Sequence, residues 1–246
     1  TVAATATAPD HGELWRHIWQ ELPGATGNEL ALRTTACGGA LLFERRAHLE
    51  GACLILRYQV VNQSHAPQSL LYCAHPLLGV EQGDRISLPS EVASVRVEGS
   101  ATYQSGATIP WPNPFQSDLS LVDLSIVGPP DSTQADKLFA GPLRTCWCAL
   151  FRPRLGEGVE LTFSAATLPY LGLWICRAAW PETARNKQYT VAFEPASAPH
   201  DSLALAEQDG TAWRLLPGER REWTLTFRLL DREPSATDEA AAREKA

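Results

Sequence analysis

The chain has 246 residues, 44% of them hydrophobic and 20% charged, which predicts one large β domain, or two small ones, around a genuine apolar core. A formal net charge of −7 without a cluster of Lys and Arg argues against a nucleic-acid or anionic-membrane surface, so the expected partner is a small molecule. No apolar run is as long as a membrane span and the first ten residues lack signal-peptide order, which favours a soluble cytoplasmic protein. The sequence contains no methionine, even at position 1, and we therefore expect an N-terminal portion to be missing.

Short runs of alternating apolar and polar residues recur between turn-rich segments, which is the pattern of an all-β sandwich. In chain order, we predict strands over residues 40–46, 53–62, 69–75, 85–89, 92–98, 119–127, 144–151, 159–165, 170–177, 189–194 and 223–229. Helical periodicity is nearly absent, and the charged tail over residues 232–246 is predicted to be disordered or a frayed helix. Prolines and glycines gather in residues 109–114 and 128–131, which indicates long surface loops of the kind that form a binding rim.

The six cysteines provide no metal site, since none forms a CxxC pair or lies at zinc-finger spacing from a histidine. Most occur in apolar strand-like runs, so we interpret them as reduced core residues, although an even number would also permit disulfides in a secreted protein. The phosphate-loop, dinucleotide-binding, zinc-protease and nucleophile-elbow motifs are missing from the sequence as well. Nucleotide, zinc-protease and serine-hydrolase functions therefore lack support.

Glu194 is the most informative titratable residue of the sequence. At period two its strand has two faces, with Tyr189, Val191 and Phe193 on one and Thr190, Ala192 and Glu194 on the other. A face of small side chains that ends in an acid suggests the floor of a cleft, where partial burial tunes a carboxylate for proton transfer. The alternative, judged from this segment alone, is an exposed acid at the end of a strand.

Two histidines are further candidates for proton transfer. His75 ends a predicted strand and is followed by Pro76, and a buried structural histidine is about as plausible there as a catalytic one. His11 precedes Gly12, which leaves the backbone free to turn tightly.

An ordered set of short motifs connects these residues. The set comprises His11-Gly12 with Trp19 eight residues on, Asn62-Gln63-Ser64, His75-Pro76-Leu77, Asp136-Lys137-Leu138-Phe139, Phe193-Glu194-Pro195 and the closing run Leu215-Leu216-Pro217-Gly218-Glu219. In this order it resembles the galactose mutarotase-like superfamily, which comprises the aldose 1-epimerases and the hexose-6-phosphate 1-epimerases. The resemblance covers nearly the whole chain, and it implies a single large antiparallel β supersandwich domain over residues 1–231 with a sugar-binding cleft.

The resemblance also implies a mechanism, acid/base opening of a sugar ring without a metal or nucleotide cofactor. Glu194 would take a proton from the anomeric hydroxyl, His75 would donate one to the ring oxygen, and His11 would add a hydrogen bond nearby. Asp136 would orient sugar hydroxyls. Trp174 and Trp111 would offer an apolar face to the sugar ring, and either could equally be core. The expected assembly is a monomer or a homodimer.

Two departures from the family pattern bear on the substrate. The arginine that usually precedes the first histidine is absent, and Arg16 and Arg33 are its nearest stand-ins. Where the phosphosugar branch has Asn-Pro after the tryptophan that resembles Trp174, this chain has Ile175-Cys176. The sequence therefore predicts an aldose 1-epimerase-like isomerase that interconverts sugar anomers, and neutral sugars are expected to bind at least as well as their 6-phosphates. A carbohydrate-binding protein without turnover and a hexose-6-phosphate 1-epimerase are the alternatives.

Overall fold

The structure is a computed structural model that describes residues 11–24, 27–116, 119–130 and 134–234. Its strands, in chain order, are β1 (Gln20–Glu21), β2 (Glu29–Ala36), β3 (Leu41–Glu50), β4 (Cys53–Asn62), β5 (Gln68–Leu70), β6 (Leu77–Gly79), β7 (Arg85–Ser87), β8 (Ser94–Ser100), β9 (Thr108–Pro110), β10 (Ala135–Ala140), β11 (Trp147–Arg152), β12 (Glu157–Thr162), β13 (Tyr170–Arg177), β14 (Tyr189–Ala196), β15 (Trp213–Leu215) and β16 (Arg220–Leu230). A short helix, α1 (Leu203–Gln208), begins after Ser202, whose hydroxyl caps it by accepting a hydrogen bond from the backbone N–H of Leu205.

Two large antiparallel sheets enclose the main core. One has eight strands in the order β1-β2-β3-β4-β16-β12-β11-β7, the other has six in the order β6-β14-β13-β10-β8-β9, and β15 pairs with β5 in a small third sheet. The core includes fully buried side chains from the eight-stranded sheet, such as Phe43 and Val60, and from the six-stranded sheet, such as Leu138 and Phe193. The predicted all-β antiparallel sandwich is confirmed.

The period-two interpretation of β14 is also confirmed. Val191 and Phe193 face the main core, so Thr190, Ala192 and Glu194 occupy the opposite face of the sheet. Strand register extends this face sideways, because Glu194 pairs with Gly172 of β13 and Gly172 pairs with Phe139 of β10. In the next row, Ala192 pairs with Trp174 and Trp174 pairs with Lys137. We call this surface of the six-stranded sheet its outer face.

The chain before β6 places His75 beside this face. Leu77 pairs with Ala192, and an isolated bridge joins Cys73 to Ala196 in the same antiparallel register. His75 lies midway between Cys73 and Leu77, and Glu194 lies midway between Ala192 and Ala196, so the register sets His75 opposite Glu194. The backbone N–H of Ala74 donates to the carbonyl of Pro195 and holds this extended segment in place.

Some predicted elements are wrong. Residues 119–127 form turns and isolated bridges, because Leu119 has a left-handed φ of 65° and Asp123 closes a turn by accepting hydrogen bonds from Ser125. The predicted strand over residues 69–75 ends at Leu70. Strands β1, β2, β6, β9, β10 and β15 and helix α1 were not predicted. The predicted disordered tail lies mostly in residues 235–246, outside the described residues.

Candidate functional site

The carboxylate of Glu194 is the centre of a cluster of polar groups on the outer face. Its side chain is only 1% exposed, so the interpretation as an exposed acid at a strand end is wrong. Nδ1 of His75 lies 2.7 Å from Oε1 and donates to it when it carries the proton. Oε2 accepts hydrogen bonds from the ammonium group of Lys137 and from the thiol of Cys73, whose Sγ lies 3.6 Å away. Both carboxylate oxygens therefore have partners, which is the condition for burying a charge at tolerable cost.

Gly172 makes room for this cluster. It is the direct cross-strand neighbour of Glu194, and a Cβ atom on it would lie 3.1 Å from Cβ of Glu194 and 3.2 Å from Oε2. Without a side chain on Gly172, Lys137 reaches across β13 from the next strand and passes over the ring of Phe139, with Nζ 5.1 Å from the ring centroid. Glycine in a strand interior commonly marks such a close approach.

Sequence analysis missed Lys137 as a functional residue. Its side chain is 12% exposed, and Nζ contacts Oδ1 of Asp201 at 3.3 Å in addition to Glu194. The sequence signal was present in the motif Asp136-Lys137-Leu138-Phe139, since Lys137 alternates with the apolar core residue Leu138. Alternation puts Lys137 on the face opposite the core. The polar residue that this motif contributes to the Glu194 cluster is therefore Lys137 and not Asp136.

The charges of the cluster hold one another in their ionised states. Burial alone would raise the pKa of the Glu194 carboxyl, but the hydrogen bond from His75 and the charge of Lys137 outweigh it and leave the pKa lowered. Burial likewise acts to lower the pKa of the Lys137 amine, and the nearby carboxylate of Glu194 outweighs it and raises the pKa. Burial and the Glu194 charge raise the pKa of the Cys73 thiol to about 12, so this thiol stays protonated.

His75 and His11 form the exposed side of the site. The side chain of His75 is 40% exposed, and with Nδ1 bound to Glu194 its Nε2 is the nitrogen left for a ligand. The ring centroid of His11 lies 5.1 Å from that of His75 and 5.3 Å from that of Trp15. The guanidinium of Arg16 lies over the Trp15 ring at 5.5 Å. The N-terminal segment thus brings His11, Trp15 and Arg16 to the rim of the Glu194 cluster.

Asp136 does not join this cluster. It follows the core alternation of Leu138 and Ala140, so it lies on the opposite side of the sheet from Glu194. There Oδ1 accepts a hydrogen bond of 2.6 Å from the hydroxyl of Ser100. Burial raises the pKa of the Asp136 carboxyl, and the Ser100 hydrogen bond and the charge of Arg177 only partly oppose this. The expectation that Asp136 orients sugar hydroxyls beside Glu194 is incompatible with this orientation.

The two predicted tryptophans have different positions. Trp174 is on the outer face, one row from Glu194, half-buried, with its indole N–H donating to Gln188 at 3.3 Å. Trp111 packs against the main core instead. Only Trp174 of the two is placed to contact a molecule bound at Glu194.

All six cysteines are free thiols. Within the described ranges, no three His, Cys, Asp or Glu side chains are grouped so that they could hold a metal ion. None of the helices in those ranges is long and apolar enough to cross a membrane.

The fold places the chain among proteins of known architecture. Slr1438 from Synechocystis sp. PCC 6803 superposes with a TM-score of 0.66 at 16% identity, over 91% of this chain and 70% of that protein. A galactose mutarotase related enzyme from Lactobacillus acidophilus superposes with a TM-score of 0.63 at 15% identity, over 90% and 74%. A galactose mutarotase-like protein from Lactobacillus casei gives 0.58 at 15% identity, over 90% and 76%. The chain therefore has the galactose mutarotase-like fold, as the ordered motifs predicted.

The amino-acid sequence also assigns the chain to a sequence family. The chain belongs to the family described as "Domain of unknown function (DUF4432)", whose profile matches residues 40–229. No curated protein matches the chain. The matched segment contains His75, Lys137 and Glu194, whereas His11, Trp15 and Arg16 precede it.

Proposed function

We propose that the protein is an aldose 1-epimerase-like isomerase that interconverts the α and β anomers of a neutral sugar. The observation that carries the proposal is the pair formed by a buried carboxylate and a solvent-reachable imidazole, Glu194 and His75, in direct contact at 2.7 Å. Such a pair supplies a proton acceptor and a proton donor within the span of one sugar ring. The mutarotase-like fold supports this chemistry only by analogy with other proteins of that fold.

In the proposed reaction the carboxylate of Glu194 takes the proton from the anomeric hydroxyl O1. His75, as imidazolium, donates its Nε2 proton to the ring oxygen O5. The C1–O5 bond breaks while C1–O1 becomes a carbonyl, rotation about C1–C2 presents the other carbonyl face, and both transfers reverse to close the opposite anomer. Each positioned proton transfer is worth about 10²–10⁴-fold in rate.

The contact between the two side chains couples these transfers. While His75 is protonated, its positive charge next to Oε1 stabilises the ionised form of Glu194. When His75 gives its proton to O5, that charge is lost and the carboxylate becomes a stronger base. Glu194 thus gains basicity in the step in which it must accept the O1 proton.

The two cations that strands β8 and β10 contribute beside Glu194 support a neutral substrate. Lys137 pairs with Glu194 and Asp201. Arg96, whose guanidinium lies over the ring of Phe139, pairs with Glu98 at 2.7 Å. These two cations face three carboxylates, so neither offers an unshared charge to a phosphate group. We expect glucose to bind at least as tightly as glucose 6-phosphate in calorimetry at physiological salt. Binding of the phosphate at least tenfold tighter, weakening as salt rises, would contradict the neutral-sugar proposal.

Anomer exchange measured by NMR across hexoses, pentoses and their phosphates tests the activity. For the sugar that exchanges fastest, Glu194→Gln should lower the rate by about 10²-fold or more, because an amide keeps the shape of the side chain but cannot accept the proton. Glu160→Gln is the matched control, since Glu160 is also a buried glutamate paired with a cation but lies on the other large sheet. Equal rates in wild type and Glu194→Gln would sink the assignment of the base.

His75→Asn should lower the exchange rate to a similar extent. If the two side chains act as one unit, the double variant with Glu194→Gln loses less than the product of the single losses. Losses that simply multiply would indicate two independent roles.

One observation favours the second candidate, a carbohydrate-binding protein without turnover. Both oxygens of Glu194 already have hydrogen-bond partners within the chain itself. A site that only binds sugar could retain this closed arrangement, whereas turnover requires O1 of the sugar to gain access to one oxygen. Calorimetric binding of a sugar whose anomers exchange no faster than in buffer would establish this second function.

A further inference from the structure

The buried charge of Glu194 requires a permanent counter-charge, and the groups around it identify the source. The segment before β6 contributes the imidazole of His75 and the thiol of Cys73. Strand β10 contributes the ammonium of Lys137, and the loop before α1 contributes Asp201, which contacts Lys137 at 3.3 Å. Arg96 and Glu98 of β8 pair with each other, and the backbone N–H of Asp201 donates to Glu98 at 3.4 Å.

Among the described groups in contact with Glu194, Lys137 carries the most persistent positive charge, because the pKa of its amine lies above the ordinary value. An imidazole carries a positive charge only while both of its ring nitrogens are protonated, and a protonated thiol carries none. Without Lys137, the carboxylate of Glu194, which is 1% exposed, would have no compensating charge whenever the imidazole of His75 is neutral. An uncompensated buried carboxylate takes up a proton instead, and a protonated carboxyl cannot act as a base.

The geometry of Lys137 fits this requirement. Its side chain reaches Glu194 across the gap at Gly172, lies over Phe139, and is held at its far end by Asp201. These three restraints limit the positions available to an otherwise flexible side chain, so the ammonium group stays close to Oε2.

We propose that Lys137 is a positioning residue that keeps the carboxylate of Glu194 ionised and fixed in one orientation. The part of the proposal that concerns ionisation stands on the contacts alone, and the part that concerns reaction rate rests on the proposed isomerase function. Lys137 itself moves no proton in this scheme. Its role is to widen, on the acid side, the pH range over which Glu194 is ready to accept one.

An NMR titration of the Glu194 side-chain carboxyl carbon in the folded protein tests the proposal without any need for activity. In Lys137→Met the carboxyl midpoint should move up by about one pH unit or more relative to wild type. Lys137→Arg, which keeps the charge, should restore most of the wild-type midpoint. Lys187→Met is the matched control, since Lys187 is an exposed lysine whose ammonium donates to the carbonyl of Pro181 at 2.7 Å, and it should leave the midpoint unchanged.

A second variant serves if Lys137→Met does not fold. Asp201→Asn changes a half-exposed side chain and removes the other anion that shares Lys137. The ammonium charge then acts on Glu194 alone, and the Glu194 midpoint should move down. An unchanged Glu194 midpoint in Lys137→Met, or in Asp201→Asn when only that variant folds, would overturn the proposal.

The rate measurement separates this proposal from the proposed function. If the chain exchanges anomers, the acid limb of the pH–rate profile should move up in Lys137→Met by the same amount as the Glu194 midpoint, and Lys137→Arg should reverse the shift. If no sugar exchanges but the titration shifts as described, Lys137 holds Glu194 ionised and the isomerase function is wrong. A shifted acid limb with an unchanged Glu194 midpoint would contradict the role of Lys137.

Discussion

Two buried glutamates, one on each large sheet, show how similar residues acquire different surroundings. Glu160 of β12 pairs in register with Arg228 of the neighbouring strand β16, at 3.0 Å, and Arg228 is 44% exposed. Glu194 is paired in register with Gly172, which offers no charge, and its partners come from an irregular segment and from a strand beyond its neighbour. The first arrangement is an ordinary cross-strand ion pair. The second needs three separate parts of the chain to converge, which is the arrangement of a site.

The comparison predicts unequal costs for removing each carboxylate. Glu194→Ala leaves Lys137 nearly buried with only the half-exposed Asp201 to balance it, so we expect unfolding free energy to fall by about 3–5 kcal/mol. Glu160→Ala should cost clearly less, because the half-exposed Arg228 can turn to water. Urea unfolding of both variants gives the two values. Equal losses would show that burial of the partner cation does not distinguish the two sites.

The double variant Glu194→Leu with Lys137→Met sharpens the same point. Removal of both charges leaves only the half-exposed Asp201 without its partner and no buried ion unpaired, so this variant should be more stable than Glu194→Ala despite the larger change in sequence. If it is the less stable of the two, the cost at this site comes from packing and not from an orphaned charge.

How far the sequence determines this difference can be followed residue by residue. Alternation placed Glu194 on the face away from Val191 and Phe193, and the motif around His75 indicated its partner, because both signals are local. Lys137 was missed because residues 135–140 were not predicted as a strand, so the alternation of Lys137 with the core residue Leu138 was not used. The register of β10 against β8 also shifts between Lys137 and Leu138, a long-range feature that no local pattern reports. Residues 119–127 were mistaken for a strand because their apolar composition conceals the turn at Asp123.

Gly172→Ala should break the Glu194 site while leaving the sheet intact. The added Cβ would lie 3.1–3.2 Å from Glu194 and from Cε1 of Phe139, in a part of the sheet where Glu194 cannot move without losing its partners. We expect a loss of about 1–3 kcal/mol in unfolding free energy, together with a loss of any exchange activity. Gly99→Ala in β8 is the control, because its Cβ would meet nothing within 4 Å. A neutral effect of Gly172→Ala would show that Glu194 is less tightly held than the contacts indicate.

The pH dependence of stability offers a smaller effect with a defined sign. Burial opposes ionisation of Glu194, but His75 and Lys137 outweigh it, so the folded-state pKa lies below the ordinary value of 4.5. A carboxyl of this kind stabilises the fold above its unfolded-state pKa and loses that contribution as pH falls through the folded-state pKa. The stability advantage of wild type over Glu194→Gln should therefore be largest near neutral pH and shrink below about pH 4.5. Urea unfolding at neutral and acidic pH measures this, and an advantage that grows on acidification would reverse the sign assigned to the Glu194 shift.

The smallest expected effect belongs to a more exposed cross-strand pair, Arg33 and Glu44. Arg33 of β2 and Glu44 of β3 are paired in register, with Nη2 2.8 Å from Oε1, and their side chains are 44% and 23% exposed. Arg33 is as exposed as Arg228, but Glu44 is more exposed than Glu160, which is 8% exposed. A double-mutant cycle of Arg33→Ala and Glu44→Ala should give a coupling of about 0.2–1 kcal/mol, below that of the Arg228–Glu160 cycle, because water screens an exposed carboxylate. The Arg33–Glu44 coupling should also fall in about 1 M salt, where the screening length is roughly 3 Å. Equal couplings from the two cycles at low salt would show that register alone sets the strength of a cross-strand ion pair. Burial would then matter only where the partner cation is also buried, as it is at Glu194.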